Sequence, residues 1–168
     1  LTEFESGLTA ILPRLRRFAH GLARNAPDAD DLAQMTVERA LTSRDQWQPG
    51  TRLDSWLYRI MRNLWIDTAR ARQRHARHLA PEEAGRDVGY DARPGVEARL
   101  ELRDLMRAMA RLPDEQREAV ALVLIEGLGY QEAANVAGVP LGTLSSRLLR
   151  GRQALLAALS GGETGDDR

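Results

Sequence analysis

Apolar residues return every three or four positions along most of this chain, and the breaks in that rhythm divide it into helices. The clearest case is residues 56–77, WLYRIMRNLWIDTARARQRHAR. At about 100° per residue, Leu57, Ile60, Met61, Leu64, Thr68 and Ala71 share one arc with Trp65 at its edge, which predicts a helix with a core-facing stripe. Arg59, Arg62, Asn63, Arg70, Arg74 and Arg77 project from the other side. Guanidinium groups in such a row suit successive phosphates, while an amide and nearby aromatics suit bases. A solvated arginine face would show the same pattern.

Upstream, Phe4, Leu8, Ile11, Leu12, Leu15, Phe18, Ala19 and Leu22 predict a core helix, with Pro13 interrupting it or opening a second one. The next helix is expected at Asn25-Ala26-Pro27-Asp28, with Asp28 as its cap and Asp30 and Asp31 at the positive end of the dipole. Leu32, Met35, Thr36 and Ala40 would then turn inward. That leaves Asp31, Gln34 and Glu38 on a polar outer strip, either solvated or docking a basic partner helix. Between Leu41 and Leu53 the loop TSRDQWQPGTR turns at Pro49-Gly50. Its Trp47 could fold back onto the hydrophobic body or help build a pocket for an unstacked base.

After Arg77 the period dissolves into HLAPEEAGRDVGYDARPGVEAR, whose prolines and glycines read as a linker. From Val96 it resumes: Leu100, Leu102, Leu105, Met106, Met109 and Leu112 predict an amphipathic helix that stops at Pro113. Residues 114–126 predict another, with Ala119, Val120, Leu122, Val123 and Leu124 as an apolar middle and Gly127 as its end. A short helix over residues 130–136, a turn at Ala137-Gly138-Val139 and a longer helix opening at Pro140 make a helix-turn-helix. Ala133 is small where two helices must approach, and Gly138 permits a positive φ. Leu144, Leu148 and Leu155 form the buried side of the second helix. Gly142, Ser145, Ser146, Leu149 and Arg150 line a face that suits a major groove, with Thr143, Arg147 and Arg152 set for phosphates.

The expected architecture is therefore all-α: two small helical domains joined by a flexible linker, the second containing the helix-turn-helix. The boundaries read as 1–79, a linker over 80–96, 97–159, and a disordered tail over 160–168. Composition adds little to this picture. With 24 basic and 24 acidic residues, net charge alone does not predict nucleic-acid binding, so the claim rests on where the charges sit. Cysteine is absent, which excludes disulfides and thiolate metal sites. His75 and His78 could share a helix face but have no obvious carboxylate companion, so no metal or other cofactor is expected. The opening LTEFESGLTA has neither a positive segment nor a long apolar run, so no signal peptide or membrane insertion is expected and the location is cytoplasmic.

Two separated motifs then coincide. DADDLAQMTVERAL followed by DSWLYRIMRNLWIDTARARQR resembles region two of the bacterial extracytoplasmic-function sigma factors of the sigma-70 family. LPDEQREAVALVLIEGLGYQEAANVAGVPLGTLSSRLLRGRQAL resembles region four of the same family. The resemblance implies a transcription initiation factor that binds core RNA polymerase, directs it to promoter DNA, assists melting, catalyses no covalent reaction and answers to an anti-sigma factor, typically in a stress response. It assigns Asp31, Gln34 and Glu38 to the polymerase. Trp47, Trp56, Arg59, Arg62, Asn63, Arg70 and Arg74 go to the minus-ten element, and Gly142, Thr143, Ser145, Ser146, Arg147, Leu149, Arg150 and Arg152 to the minus-thirty-five element. Many members carry Lys or Arg where Ser145 stands, which leaves Arg150 as the better candidate for a bidentate guanine contact.

Three other readings compete. A sigma-mimicking adaptor that sequesters an anti-sigma factor without touching DNA would be expected to lose basic residues at both faces, and here they remain. A free-standing helix-turn-helix repressor leaves the first half unexplained. An enzyme lacks any recognisable nucleophile, acid/base or metal constellation.

Overall fold

A computed structural model gives the fold for residues 1–76 and 95–161. Seven α-helices run in the order α1 (Glu3–Leu22), α2 (Ala26–Thr42), α3 (Leu53–Ala76), α4 (Val96–Arg111), α5 (Asp114–Val120), α6 (Tyr130–Ala137) and α7 (Leu141–Ser160). Arg77, His78, most of the expected linker and nearly all of the expected tail lie outside the described residues. Among the described residues no helix is long and apolar enough to cross a membrane.

The first half is a three-helix body. Thr2 starts α1 with a reciprocal capping box, its hydroxyl accepting from the Glu5 amide while the Glu5 carboxylate accepts from the Thr2 amide. Pro13 does not end α1, contrary to either expectation for it. The residue is exposed, so the carbonyl that loses its helical donor sits on the solvent side while Ile11, Leu15, Phe18 and Leu22 stay in the core. Asn25 rather than Asp28 caps α2: its side-chain oxygen accepts from the Asp28 amide at 2.9 Å, and Pro27 fills the first turn. Asp28 instead accepts two hydrogen bonds from Arg72, tying the start of α2 to the end of α3. That pairing, before all other influences, holds the Asp28 carboxyl below its usual range. The stabilisation from a depressed carboxylate is present above its unfolded value and disappears as pH falls through the folded one.

The second half packs α5 on α7, α4 on α7 and α6 on α7. The expected helix over residues 114–126 forms in two parts, because after Val120 the backbone widens into a π-helical turn, Ala121–Ile125, ended by Gly127 at φ +71°. Gly138 ends α6 in the left-handed conformation at φ +68°, as the turn requires. At Gly151 helices α5 and α7 approach most closely. A Cβ there would lie 2.8 Å from the Val120 Cγ2 and 3.1 Å from the Gln116 carbonyl oxygen. Gly151→Ala is therefore expected to cost about 1 to 3 kcal/mol, read as a lower urea midpoint at unchanged m-value. No loss would mean that the two helices can slide apart freely.

The halves are packed together. Helix α1 lies against α5 and the π-helical turn, and α3 lies against α6, so one continuous set of buried side chains runs through both.

Candidate nucleic-acid interface

Helix α3 carries the arginine row. Leu57, Tyr58 and Met61 are fully buried, and Ile60, Leu64, Trp65 and Thr68 are half-buried, so the predicted stripe does face the core; Ala71, at its end, is exposed. Asn63, Arg70 and Arg74 stand exposed on the outer side, with Arg70 and Arg74 bordering a shallow depression shared with Asp67 and Gln73. Arg59 is exposed but reaches across to the Asn135 carbonyl of α6, a long contact at 3.5 Å. Arg62 is half-buried, its Nε donating to Glu118 of α5 at 2.7 Å. Thus the upstream part of the row is turned to the second half of the chain and the downstream part to solvent.

Two tryptophans were expected beside that row. Trp47 is a correction: it is only 8% exposed, its ring centroid 5.8 Å from that of Phe4, with its indole nitrogen buried and lacking a partner among the described residues. The loop is short and polar, and folding its one large aromatic onto α1 removes the ring from water; as placed, it offers no face to a base. Trp56 is half-buried, meeting Phe4 edge-on at 6.1 Å, and keeps some accessible surface.

On α7 the second face emerges as the period predicts. Leu144, Leu148 and Leu155 are buried, whereas Gly142, Ser146, Leu149, Arg150 and Arg152 are exposed, and Leu149 retains 57% of its surface. Thr143 and Ser145 are half-buried, and the Ser145 hydroxyl donates back to the Leu141 carbonyl at 2.9 Å. Arg147 is half-buried and pairs with Glu115 at 3.5 Å, so a phosphate would have to compete with that carboxylate.

The third strip lies on α2. Asp31, Gln34 and Glu38 are exposed, with the Gln34 amide donating to Glu38 at 3.3 Å. Met35, expected inward, is 41% exposed and joins this strip, because Leu32, Ala33, Thr36 and Ala40 already cover the core side of the helix.

Sequence reasoning missed the charged residues between the halves. Glu126 has a fully buried carboxylate that accepts from Arg17 Nε at 2.8 Å, Arg17 Nη2 at 2.9 Å and the Tyr58 hydroxyl at 2.8 Å, with Arg14 3.7 Å away. Burial, and then this hydrogen bond to a carboxylate, push the Tyr58 phenol well above its ordinary value. Arg117 is 1% exposed and donates to the carbonyls of Leu22, at the end of α1, and Leu112, as well as to Asp114. Burial lowers the Arg117 pKa and raises that of Glu118. A visible signal existed in the adjacent charges Arg117-Glu118 directly before an apolar run, where a solvated pair is out of place.

Comparison with known proteins fixes the family. The Sigma-70 region 2 family matches residues 8–75 and Sigma-70, region 4 matches residues 102–155. An ECF RNA polymerase sigma factor, EcfG, of Rhodopseudomonas palustris is 41% identical over 90% of this chain and 82% of that protein. The chain belongs to the ECF RNA polymerase sigma factors. An ECF sigma factor SigE of Mycolicibacterium smegmatis is 43% identical over 84% of this chain and 56% of the longer relative. Among solved structures, the sigma factor RpoE in complex with the anti-sigma factor NepR, from Bartonella quintana, aligns over 100% of both chains at TM-score 0.86 and 32% identity. CnrH in complex with the cytosolic domain of CnrY aligns over 94% of this chain and 88% of that one at TM-score 0.68 and 26% identity. As a member of this family the chain is a promoter-directing transcription factor that works with core RNA polymerase.

Proposed function

We propose that this ECF sigma factor divides promoter recognition between α3 and α7, with residues 1–79 and 97–159 as the two working domains, while α2 holds the polymerase. The observation that carries the reading is the exposed, groove-sized face of α7 in the same chain as the arginine row of α3, each within its own sigma-70 region. Arg150, with its planar fork, is assigned to a guanine edge. Gly142, Ser145, Ser146 and Leu149 let the helix approach the bases, and Thr143, Arg147 and Arg152 take phosphates. Asp31, Gln34, Glu38 and the exposed Met35 form the polymerase contact, an acidic rim around one apolar anchor.

Duplex readout does not suffice at the minus-ten element. Opening DNA costs about 1.4 kcal/mol per stacked step, and a protein favours opening only by holding the separated strand better than the duplex. Asn63 and Trp56 supply base contacts worth about 1 to 3 kcal/mol per stacked base, and Arg59, Arg62, Arg70 and Arg74 track the backbone. Trp47 serves this site by bracing the loop on Phe4 rather than by stacking on a base. The chain performs no covalent chemistry and acts in the cytoplasm. An anti-sigma factor controls it, a reading supported by the two solved relatives, both held by such inhibitors or their cytosolic domains.

Run-off transcription with core polymerase and paired promoter variants tests the division. Arg150→Ala is expected to lower initiation by about 5- to 100-fold, with the loss confined to templates that carry the upstream motif. Asn63→Ala is expected to relax preference at the downstream motif only. Equal losses on all templates, or none, would remove the assignments.

A further inference from the structure

The minus-ten face of α3 is not free in this structure, and the residues that cover it belong to the same chain. Glu118 engages Arg62, the Asn135 carbonyl meets Arg59, Arg117 reaches the end of α1, and Glu126 gathers Arg14, Arg17 and Tyr58. We propose that the chain shuts itself: α5, its π-helical turn and α6 form a latch on α1 and α3 that withholds Arg59 and Arg62 from the promoter until core polymerase parts the halves. The inference rests on the assignment of Arg59 and Arg62 to the minus-ten strand.

The parts of the latch do different work. Burial opposes the charge of Glu118, so its pair with Arg62 sets register and keeps a carboxylate where a phosphate would otherwise sit. The Glu126 cluster is the strong element, since its carboxylate is wholly buried and bound by a bidentate arginine and a phenol. Shape completes it: Gly21 lets α1 approach the π-helical turn so closely that an added Cβ would lie 3.1 Å from the Ala121 Cβ. The same placement of both halves, at TM-score 0.86 over the whole chain, occurs in the anti-sigma-bound RpoE relative. Here the contacts that hold it are intramolecular, so an inhibitor of that kind has only to stabilise a state already formed. A 99:1 preference for the closed state would weaken apparent affinity for any partner of the open state by about a hundredfold.

The latch is selective, because the α7 face stays exposed while the halves are closed. This separates it from a general loss of structure. The chain has no cysteine, so Gly21→Cys with Ala121→Cys creates a unique pair whose Cβ separation lies near the roughly 3.5–4.5 Å of disulfides. On oxidation with diamide the pair is expected to link. The linked protein should keep its affinity for duplex minus-thirty-five DNA, lose at least about tenfold in binding single-stranded minus-ten DNA and lose initiation with core polymerase, all regained on reduction. In the otherwise wild-type chain, Glu126→Gln should widen the radius of gyration and raise minus-ten strand binding about tenfold.

Failure of the cysteines to link, or full initiation by the linked protein, would overturn the latch. So would a Glu126→Gln chain that is as compact and as weakly binding as the wild type. If reduced and wild-type chains alike never initiate, the sigma reading beneath the latch fails as well, whereas linking that abolishes initiation reversibly supports both.

Discussion

Arg117→Ala is expected to lower the unfolding free energy by about 3 to 5 kcal/mol, the range for removing one member of a buried, hydrogen-bonded charge network. The guanidinium has almost no access to water and is satisfied by two carbonyls and one carboxylate, Leu22, Leu112 and Asp114. It also lies 5.7 Å from the Trp65 ring centroid, beneath helix α3. Alanine leaves the two carbonyls without these donors and opens a cavity between α1, α3 and α5. Burial already lowers the arginine's pKa, so part of the charge's worth is spent on its own desolvation. Arg117→Met should therefore cost clearly less than alanine, because it refills the space without a buried charge. Urea denaturation of both variants measures this. Equal losses would show that the hydrogen bonds matter and the packing does not.

Phe18→Ala is expected to cost a similar 3 to 5 kcal/mol, roughly the range for deleting a buried phenyl ring, for a different reason. Phe18 is fully buried on α1, and its ring meets Tyr58 of α3 edge to face at a centroid distance of 4.8 Å. The loss combines transfer of the ring to water, an unfilled cavity and the ring pair itself. Because Tyr58 donates to Glu126, the ring also supports the contact between the halves. Phe18→Leu keeps most of the volume and should cost less than half as much. If denaturation of the alanine variant splits into two transitions, the halves unfold as separate units once Tyr58 loses its support.

The helices were legible because this chain builds them from amphipathic periods, with Pro, Gly, Asn and Thr at their ends. The buried stripes of α3 and α7 follow the 3.6-residue period almost position by position. Local ambiguity caused the errors there. Asn25 and Asp28 are both good caps, and only the Arg72 pair, 44 residues away in sequence, decides which is used. Pro13 is a breaker by composition, yet a proline on the water side costs a helix less when the other face is firmly packed.

The candidate site was legible as a list of residues and illegible as an arrangement. A period places Arg59 and Arg62 on the outer face of α3 but cannot say that α5 and α6 cover that face. Trp47 illustrates the same limit: a lone aromatic in a polar loop is compatible with a base pocket or a hydrophobic anchor, and Phe4 decides for the anchor. Arg14, Arg17, Arg117, Glu118 and Glu126 look like ordinary surface charges until the halves meet, because each finds its partner on a distant segment.

Selection from a randomised promoter library by core RNA polymerase and this purified chain, with no other initiation factor and no inhibitor present, tests the central claim most directly. The expected result is RNA starting from templates that share two short motifs at one fixed separation. The upstream preference should vanish with Arg150→Ala and the downstream preference with Asn63→Ala. Initiation from no template, or from templates without shared motifs, would contradict the account.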